Sequence, residues 1–478
     1  MTTWYSNGAV NGNPNHNWNA TNAWNDATGG GGTAGNPTDG DIAIIQNGDV
    51  VTLTADVTSV AAFKVEGGAT LAGGSGYKIT TRGAYSNKPV DNDGTITGIV
   101  NIRVENQGTG STPANGWMLD LLGATSGDKF TNLEVDLTSG TASNNTVEWI
   151  GDFNLEGNIT IENGTFQGYN GSYTGRCDGV LEIQSGGVFG RSDGIQTAVY
   201  QFGEVDIKSG GALYATSTTT TITGVTDADW VWQDAGTFSH NKGKVLFSTS
   251  STSMEMWLGN GDTFYDVEID SSDPGGVYYH NTVIYGDLIV KDGPFHAYTT
   301  STTLTVHGNT YIKSEGQLIN GAAQSGTVTF HGLITNEGIL HTGSGTNNFN
   351  GGVRNLATMA SDDTITIGGT GAILEGDLDD AIINVTTEPV YDLSGTDSDD
   401  YFSSSTNKPT KWGTGDYSIS AWVNLDDWDA TDNQNSVFTQ GGASAGNDGS
   451  RIAVTDSGYI WATIADGSTR VEFTTSND

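Results

Sequence analysis

The stretches Leu181-Glu-Ile-Gln-Ser-Gly-Gly-Val-Phe189 and Val205-Asp-Ile-Lys-Ser-Gly-Gly-Ala-Leu213 decide the fold of this chain. In both, apolar and polar residues alternate, two glycines follow, and an apolar residue closes the phrase. An earlier copy is Phe63-Lys-Val-Glu-Gly-Gly-Ala-Thr-Leu71. Alternation turns one face of a short strand inward, and a glycine pair accepts the positive φ of a tight turn. Ile183 and Ile207, which occupy the same place in two phrases, are therefore predicted to point inward.

The spacing between the copies predicts a solenoid. Gly164, Gly187 and Gly211 stand at matching places in successive copies, and Thr303-Leu-Thr-Val-His-Gly308 returns as Thr327-Val-Thr-Phe-His-Gly332. Three short strands and three turns fill such a period, and stacked coils pair in parallel at about 4.8 Å. We predict an all-β chain whose residues 41–388 form a right-handed parallel β-helix, a β-solenoid with about 22–24 residues per coil.

Composition and charge narrow the classes of protein that fit. The chain has 478 residues, with 69 glycines, 8 prolines and a formal net charge of −38. Lys and Arg total 18 against 56 Asp and Glu, so phosphate backbones and anionic membrane surfaces repel the chain. No apolar run reaches the roughly 18 residues of a membrane-spanning helix. We therefore expect neither nucleic acid nor membrane among the partners.

The cysteine content and the first residues bear on where the chain folds. Cys177 is the only cysteine, so no intrachain disulfide can form. The segment Met1-Thr-Thr-Trp-Tyr-Ser-Asn-Gly8 has neither the basic nor the apolar region of a conventional signal peptide. We expect a protein that folds in the cytoplasm of a producing cell and leaves by lysis, or one that leaves by a route without an N-terminal signal.

Residues 1–40 are predicted to cap the first coil and to act as an attachment segment. Trp4, Trp18 and Trp24 stand in Asn- and Gly-rich sequence. Aromatic rings can cover the open strand edge at the end of a solenoid. A sugar-stacking aromatic patch is the alternative interpretation of the same residues.

Residues 389–478 are predicted to form a separate antiparallel domain. Strands such as Ser450–Thr455 and Thr469–Phe473 alternate and are joined by turns typical of hairpins. The stretch Asp416-Tyr-Ser-Ile-Ser-Ala-Trp-Val-Asn424 resembles part of a laminin-G-like, concanavalin-A-like jelly roll. The resemblance implies a sugar- or protein-binding module, often with calcium. It covers only about half of such a jelly roll, so we expect the chain to continue past Asp478 or the missing strands to come from elsewhere.

An acidic loop in this domain is the candidate metal site. Asp426, Asp427, Asp429 and Asp432 bring four carboxylates into a short segment. Calcium takes six to eight oxygen ligands, of which this loop offers several. The loop lacks the glycine of an EF-hand, so a solvated acidic loop is the alternative.

Carboxylates on the solenoid are candidates for catalysis. Asp178, Asp193 and Asp206, with Arg176 and Arg191 nearby, are the residue types that a polysaccharide lyase or hydrolase uses. Asp-Gly also commonly ends a strand, which is the competing interpretation. We predict no catalytic site, because no outward carboxylate cluster has a matching base at coil spacing.

Two histidines occupy equivalent positions one coil apart. His307 and His331 each precede a glycine at a strand end, and side chains stacked on adjacent coils lie roughly 5 Å apart. Such rings are close enough to share an ion. The spacing implies no third ligand, so it favours an exposed surface ladder over a metal site.

The solenoid is similar in style to the β-helical stalks of phage tail fibres, tailspikes and head fibres. It is also similar to filamentous bacterial adhesins with coils such as Phe130-Thr-Asn-Leu-Glu-Val135 and Phe264-Tyr-Asp-Val-Glu-Ile269. The resemblance implies a structural and adhesive fibre or decoration protein of a phage virion, whose shaft presents a carbohydrate-binding domain to a host-surface glycan. Its partners would be other virion proteins and further copies of itself, for example in a trimer. The alternatives are a bacterial surface adhesin secreted without an N-terminal signal and a polysaccharide-degrading β-helix enzyme.

Overall fold

The structure, a computed structural model, describes residues 1–376 apart from short gaps, and beyond them the backbone of six strands. The gaps are 9–14, 21, 83–87, 106–116, 124–128, 139–144, 170–172, 194–195, 225–229, 250–253, 260, 273–275, 298, 300, 320–325, 362–363 and 370–371. The six strands are 383–385, 390–392, 434–441, 448–455, 460–466 and 470–474. The chain divides into two compact units, Met1–Ser404 and Ser405–Asp478.

The described residues of the first unit form strands joined by turns, with a 3₁₀ turn at Thr28–Gly30. In chain order its strands are β1 Thr3–Ser6, β2 Asn15–Asn17, β3 Trp24–Asn25, β4 Ala34–Gly35, β5 Ile42–Ile45, β6 Val50–Thr52, β7 Val57–Val60, β8 Ala62–Val65, β9 Thr70–Thr81, β10 Val90–Asn92, β11 Thr95–Glu105, β12 Trp117–Asp120, β13 Leu133–Asp136, β14 Thr146–Trp149, β15 Phe153–Leu155, β16 Ile159–Gly168, β17 Gly175–Ile183, β18 Gly187–Phe189, β19 Tyr200–Ile207, β20 Ala212–Tyr214, β21 Thr219–Ile222, β22 Trp230–Asp234, β23 Thr237–Ser239, β24 Lys244–Phe247, β25 Met254–Trp257, β26 Asp266–Asp270, β27 Val277–Tyr279, β28 Thr282–Ile284, β29 Leu288–Ala297, β30 Thr303–Val306, β31 Thr310–Ile319, β32 Thr327–Phe330, β33 Ile334–Asn336, β34 Ile339–Thr342, β35 Thr346–Phe349, β36 Gly352–Asn355, β37 Thr358–Ser361, β38 Ile365–Ile367, β39 Ile373–Gly376, β40 Ile383–Val385 and β41 Val390–Asp392.

Parallel pairing between successive coils builds this unit into a β-solenoid of about 12 turns. The described pairings are parallel apart from those of β3 with β1 and β4. One ladder of buried side chains runs coil on coil through Val57, Ile79, Ile102, Leu133, Ile159, Leu181, Val205, Trp232, Met256, Tyr279 and Ala297. The hydrophobic core is therefore a continuous column in which each coil covers its neighbour.

The repeated phrases stack as predicted. Ile183 pairs with Ile207 on the next coil, and both side chains are completely buried. Gly164 pairs with Gly187, and Thr303 pairs with Thr327. The all-β solenoid fold and the inward direction of the two isoleucines are thus confirmed.

The coil length is less uniform than predicted. Ile102 pairs with Leu133, a step longer than the predicted period, whereas Asn347 pairs with Ile365, a step shorter than that period. The predicted period holds at the repeated phrases and fails at these coils. Stacking constrains the strands and leaves the connections free to lengthen or shorten, because a longer loop costs little additional entropy.

The N-terminal residues supply strands of the first coil. Thr3 in β1 pairs in parallel with Ile42, and β2 pairs in parallel with β6. Trp18 and Trp24 are buried against each other, with ring centroids 4.8 Å apart, and the Trp24 indole donates to the Trp18 carbonyl at 2.7 Å. Both indoles are therefore part of the hydrophobic core, and the capping role of residues 1–40 stays a prediction.

Within the described part of the core, an inward-facing Asn or Asp bonds to the glycine of the following turn at three corners. The side chains of Asn92, Asp234 and Asn336 are buried, and their Oδ1 atoms accept the backbone N–H of the glycine two positions later at 3.3, 2.9 and 3.2 Å. This bond lets the side chain substitute for a turn hydrogen bond. Asp234 is the ionisable member of the set.

The second unit contains an antiparallel sheet of four strands, β42 Gln434–Gly441, β43 Asp448–Thr455, β44 Ile460–Asp466 and β45 Arg470–Thr474. Successive strands pair antiparallel, as in hairpins. The hairpins predicted for this region are thus confirmed, whereas Trp422 and its strand lie outside the described residues.

Parallel pairing in the first unit continues through β41, which pairs with β39. Among the described residues, no helix has the length and apolar character needed to cross a bilayer.

Candidate functional site

A stack of rings lies along one outer corner of the solenoid. The centroids of Tyr285 and His307 are 5.0 Å apart, and those of His307 and His331 are 4.7 Å apart with only 3° between the ring planes. His240 continues the row, 5.4 Å from Tyr265 and 6.5 Å from Tyr285. We call these five residues the ring ladder. His307 and His331 are exposed, so their ring nitrogens are accessible to a ligand.

Backbone hydrogen bonds place each ring directly above the preceding one. The N–H of Tyr285 donates to Phe264, that of His307 to Ile284 and that of His331 to Val306, at 2.8–2.9 Å. Each of these three rings precedes a glycine. A Cβ on the glycine after His307 would overlap the carbonyl of the glycine one coil below, and the same holds after His331. The close approach of the coils at this corner therefore requires glycine.

Side-chain oxygens clamp the same corner along the axis. Asp266 Oδ1 accepts the N–H of Asp287 at 2.8 Å, and Asp287 Oδ1 accepts the N–H of Asn309 at 2.7 Å. Asn309 Oδ1 in turn accepts the N–H of Leu333 at 3.1 Å. Each oxygen thus fixes the start of a strand on the next coil, which holds the ring ladder in register.

The histidines are concentrated in this part of the solenoid. Six of the seven fall between residues 240 and 341. His280 stacks on Trp230 at 5.0 Å and lies 3.1 Å from a carboxylate oxygen of Glu255, while His296 stacks on Tyr278 at 5.1 Å. Aromatic and imidazole rings therefore form a second row, separate from the ring ladder.

Burial favours the neutral form of two of these histidines. It lowers the pKa of His240, and the nearby charge of Lys242 lowers that pKa further, against the opposing effect of Asp266. Burial also lowers the pKa of His296. A neutral imidazole keeps a lone pair that can accept a hydrogen bond or bind a metal.

Each carboxylate considered for catalysis forms a salt bridge with a basic side chain two positions away. Asp178 and Asp193 pair with the arginine two positions before them, Arg176 at 2.8 Å and Arg191 at 2.6 Å. Asp206 pairs with the lysine two positions after it at 2.5 Å. The histidine pair, by contrast, is brought together as the sequence indicated.

Glu204 is a site residue that sequence reasoning missed. Burial and the neighbouring charge of Asp206 raise the pKa of Glu204 to about 7, and its buried Oε1 has no hydrogen-bond partner. Its position follows from a register shift in the pairing of β17 with β19, where Val180 lies opposite Glu204. The signal in the sequence is the break in alternation at Gly203, which an inspection for Asp-Gly turns overlooks.

Other acidic residues form salt bridges with basic side chains of the solenoid. Arg103 contacts Glu105, Glu134, Asp136 and Glu162 at 2.6–2.9 Å and joins neighbouring coils. Burial alone would raise the pKa of Glu134, but hydrogen bonds from Lys78 and Arg103 outweigh it and lower the pKa. These contacts stabilise the outer sheet face.

A second acidic group is large enough to consider for a cation. Ligand oxygens of Asp91, Asp93 and Asp120 lie within 4.8 Å of one another. Lys64 lies 3.0 Å from Asp91 and 2.9 Å from Asp93, and Lys88 lies 3.6 Å from Asp120. Two ammonium groups therefore already offset two of the three negative charges.

The predicted calcium loop, with Asp426, Asp427, Asp429 and Asp432, lies outside the described residues. No family model, curated protein or solved structure matches the chain. The geometry of the solenoid surface is therefore the basis for a functional proposal.

Proposed function

We propose that the chain is a structural and adhesive fibre or decoration protein of a phage virion. The observation that supports this is the uninterrupted buried ladder from Val57 to Ala297. Each added coil of a solenoid buries further apolar side chains, so a long shaft can be as stable as a short one. The net charge of −38 reduces nonspecific attraction to other acidic surfaces. Both properties suit a particle-borne scaffold.

The finer architecture belongs to this proposal. The coils wind right-handed, because crossovers between parallel strands do so in about 98% of cases. The antiparallel sheet β42–β45 is part of a laminin-G-like domain that binds a host-surface glycan, and residues 1–40 attach the protein to other virion proteins. Several copies assemble, as in a trimeric fibre. Calcium binding by the loop that contains Asp426 stays a prediction.

The location of the protein tests the proposal. Tryptic peptides of the solenoid, for instance the segment that ends at Arg191, are expected in gradient-purified phage particles at a constant ratio to the capsid protein. The measurement is quantitative mass spectrometry of particles and of the host-cell envelope. If the peptides are enriched in the envelope and absent from particles, the virion-fibre proposal is wrong and the bacterial adhesin is favoured.

Glycan hydrolysis is a second candidate, which Glu204 favours. A carboxyl group that stays protonated near neutral pH beside an ionised carboxylate is the arrangement of an acid and its partner in glycoside hydrolases. Asp206 would supply the ionised group, although Lys208 already pairs with it at 2.5 Å. This pairing makes the fibre the better-supported function.

Purified protein is accordingly expected to release no reducing ends from a panel of acidic and neutral polysaccharides. The measurement compares the unmodified chain with Glu204→Gln and with the control Glu182→Gln, whose carboxylate lies one coil from Asp206. Turnover that Glu204→Gln abolishes and Glu182→Gln preserves would establish the enzyme instead.

A further inference from the structure

We propose that His307 and His331, stacked on adjacent coils, form a binding site for a divalent transition-metal cation such as Zn²⁺, Ni²⁺ or Cu²⁺. The imidazole planes differ by 3° and the ring centroids are 4.7 Å apart. Both side chains are exposed on the outer corner of the solenoid. Imidazole nitrogen is a preferred ligand of these metals.

The distance between the rings is suited to chelation. A metal–nitrogen bond of about 2.0–2.1 Å places two coordinating nitrogens of one ion roughly 3–3.5 Å apart. Rings 4.7 Å apart reach that separation through a modest rotation of each side chain. The exposed rings can rotate without displacing core atoms, so the adjustment costs little.

The backbone below the rings is already in place. His307 and His331 donate backbone hydrogen bonds of 2.8 Å to the preceding coils, and Asp287 and Asn309 clamp the strands that follow. The metal therefore does not have to order the chain in order to bind. This pre-organisation removes part of the entropy that binding normally costs.

A neighbouring amide can direct the coordinating nitrogen of His331. The side-chain nitrogen of Asn350, on the next coil, lies 3.3 Å from His331 Nδ1. Rotation of this amide by 180° on metal binding would turn its oxygen toward the Nδ1 proton and leave the Nε2 lone pair for the metal. Asn350 would thus act as a positioning residue, and water would fill the remaining ligand positions.

The other described histidines are less suited to share an ion. His280 is engaged with Glu255 and Trp230, and His296 is half-buried against Tyr278. His307 and His331 are the pair that stacks imidazole on imidazole within the described part of the chain. The proposal concerns this pair and is independent of the fibre function.

Calorimetric titration with ZnCl₂ tests the site, in excess Ca²⁺ so that oxygen-rich loops are occupied. One Zn²⁺ per chain is expected to bind in the micromolar range. His307→Asn and His331→Asn are each expected to weaken binding at least tenfold, because either change leaves one imidazole. The control is His341→Asn, since Ile319 separates His341 from His296 in its own row, and this variant should keep the zinc affinity of the unmodified chain.

A second measurement separates loss of the site from loss of the fold. Zn²⁺ should raise the melting temperature of the unmodified chain, since an ion that ties two coils together binds only the folded state. It should not raise that of either asparagine variant, whose metal-free melting temperatures should match the unmodified chain. Zinc binding or a thermal shift that survives in the double variant His307→Asn/His331→Asn would overturn the proposal.

Discussion

Replacement of Gly308 by alanine is expected to destabilise the solenoid by about 2–4 kcal/mol. A Cβ at this position would overlap the carbonyl of Gly286 and lie 2.5 Å from Oδ1 of Asp287. The backbone cannot simply retreat, because the N–H of Gly308 donates to that same carbonyl at 3.0 Å. The two coils must separate, which breaks the hydrogen bonds on either side of the corner. Urea unfolding followed by circular dichroism measures the loss.

The Gly308→Ala variant is also expected to disturb the alignment of His307 with His331, since the new side chain follows directly after His307. Gly31→Ala is the matched control. Gly31 has a φ of −84°, and a Cβ added there would meet no atom within 4 Å. Its effect should stay within about 0.5 kcal/mol. Equal unfolding midpoints for the two variants would show that the corner is not closely packed.

The repeated phrases were sufficient to predict the solenoid because stacking is a local requirement. A coil needs an inward apolar residue at each strand centre, as Leu181 and Ile183 provide, and a residue at the turn that tolerates close approach, as Gly187 does. Because these requirements recur in every coil, the apolar residues and glycines repeat in the sequence with the period of the coil. The vertical alignment of His307 with His331 followed from the same period.

The variable coils and the rest of the ring ladder could not be predicted in the same way. The long step from Ile102 to Leu133 contains extra connection residues that no stacking rule constrains. Tyr285 aligns with His307 on the next coil, but it lies in a phrase that shares little with Thr303–Gly308 apart from the following glycine. Alignment there depends on the Asp287 and Asn309 clamps, which are long-range contacts.

The repeat pattern of the sequence also does not show that the core contains an ionisable side chain, Asp234. Asp234 occupies the inward position that Ile183 and Ile207 hold on the two preceding coils, and Ile207 pairs with it directly. An Asp at a strand end followed by Ala-Gly is typical of an exposed turn. Only the stacking of the coils shows that this carboxyl group is buried.

Asp234→Asn is expected to stabilise the fold by about 2–4 kcal/mol at pH 8 and to change it little below pH 4. Burial and the charge of Asp262 raise the pKa of Asp234 from its ordinary value of 3.8 to about 7. Between those two values the unfolded chain has lost a proton that the folded chain keeps. Stability therefore falls as pH rises through this window and stays low above it, whereas asparagine has no proton to lose.

The asparagine fits the corner because Asn92 and Asn336 already make the same turn hydrogen bond at equivalent places. Thermal unfolding of Asp234→Asn and of the unmodified chain between pH 4 and 8 measures the effect. Asp193→Asn, on the surface, is the control and should shift stability by no more than about 0.5 kcal/mol. A gain of equal size at pH 4 and pH 8 would mean that the substitution acts through packing. No gain at pH 8 would mean that other groups in the core stabilise the charged form of Asp234. A buried carboxylate without such compensation lowers the free energy of unfolding.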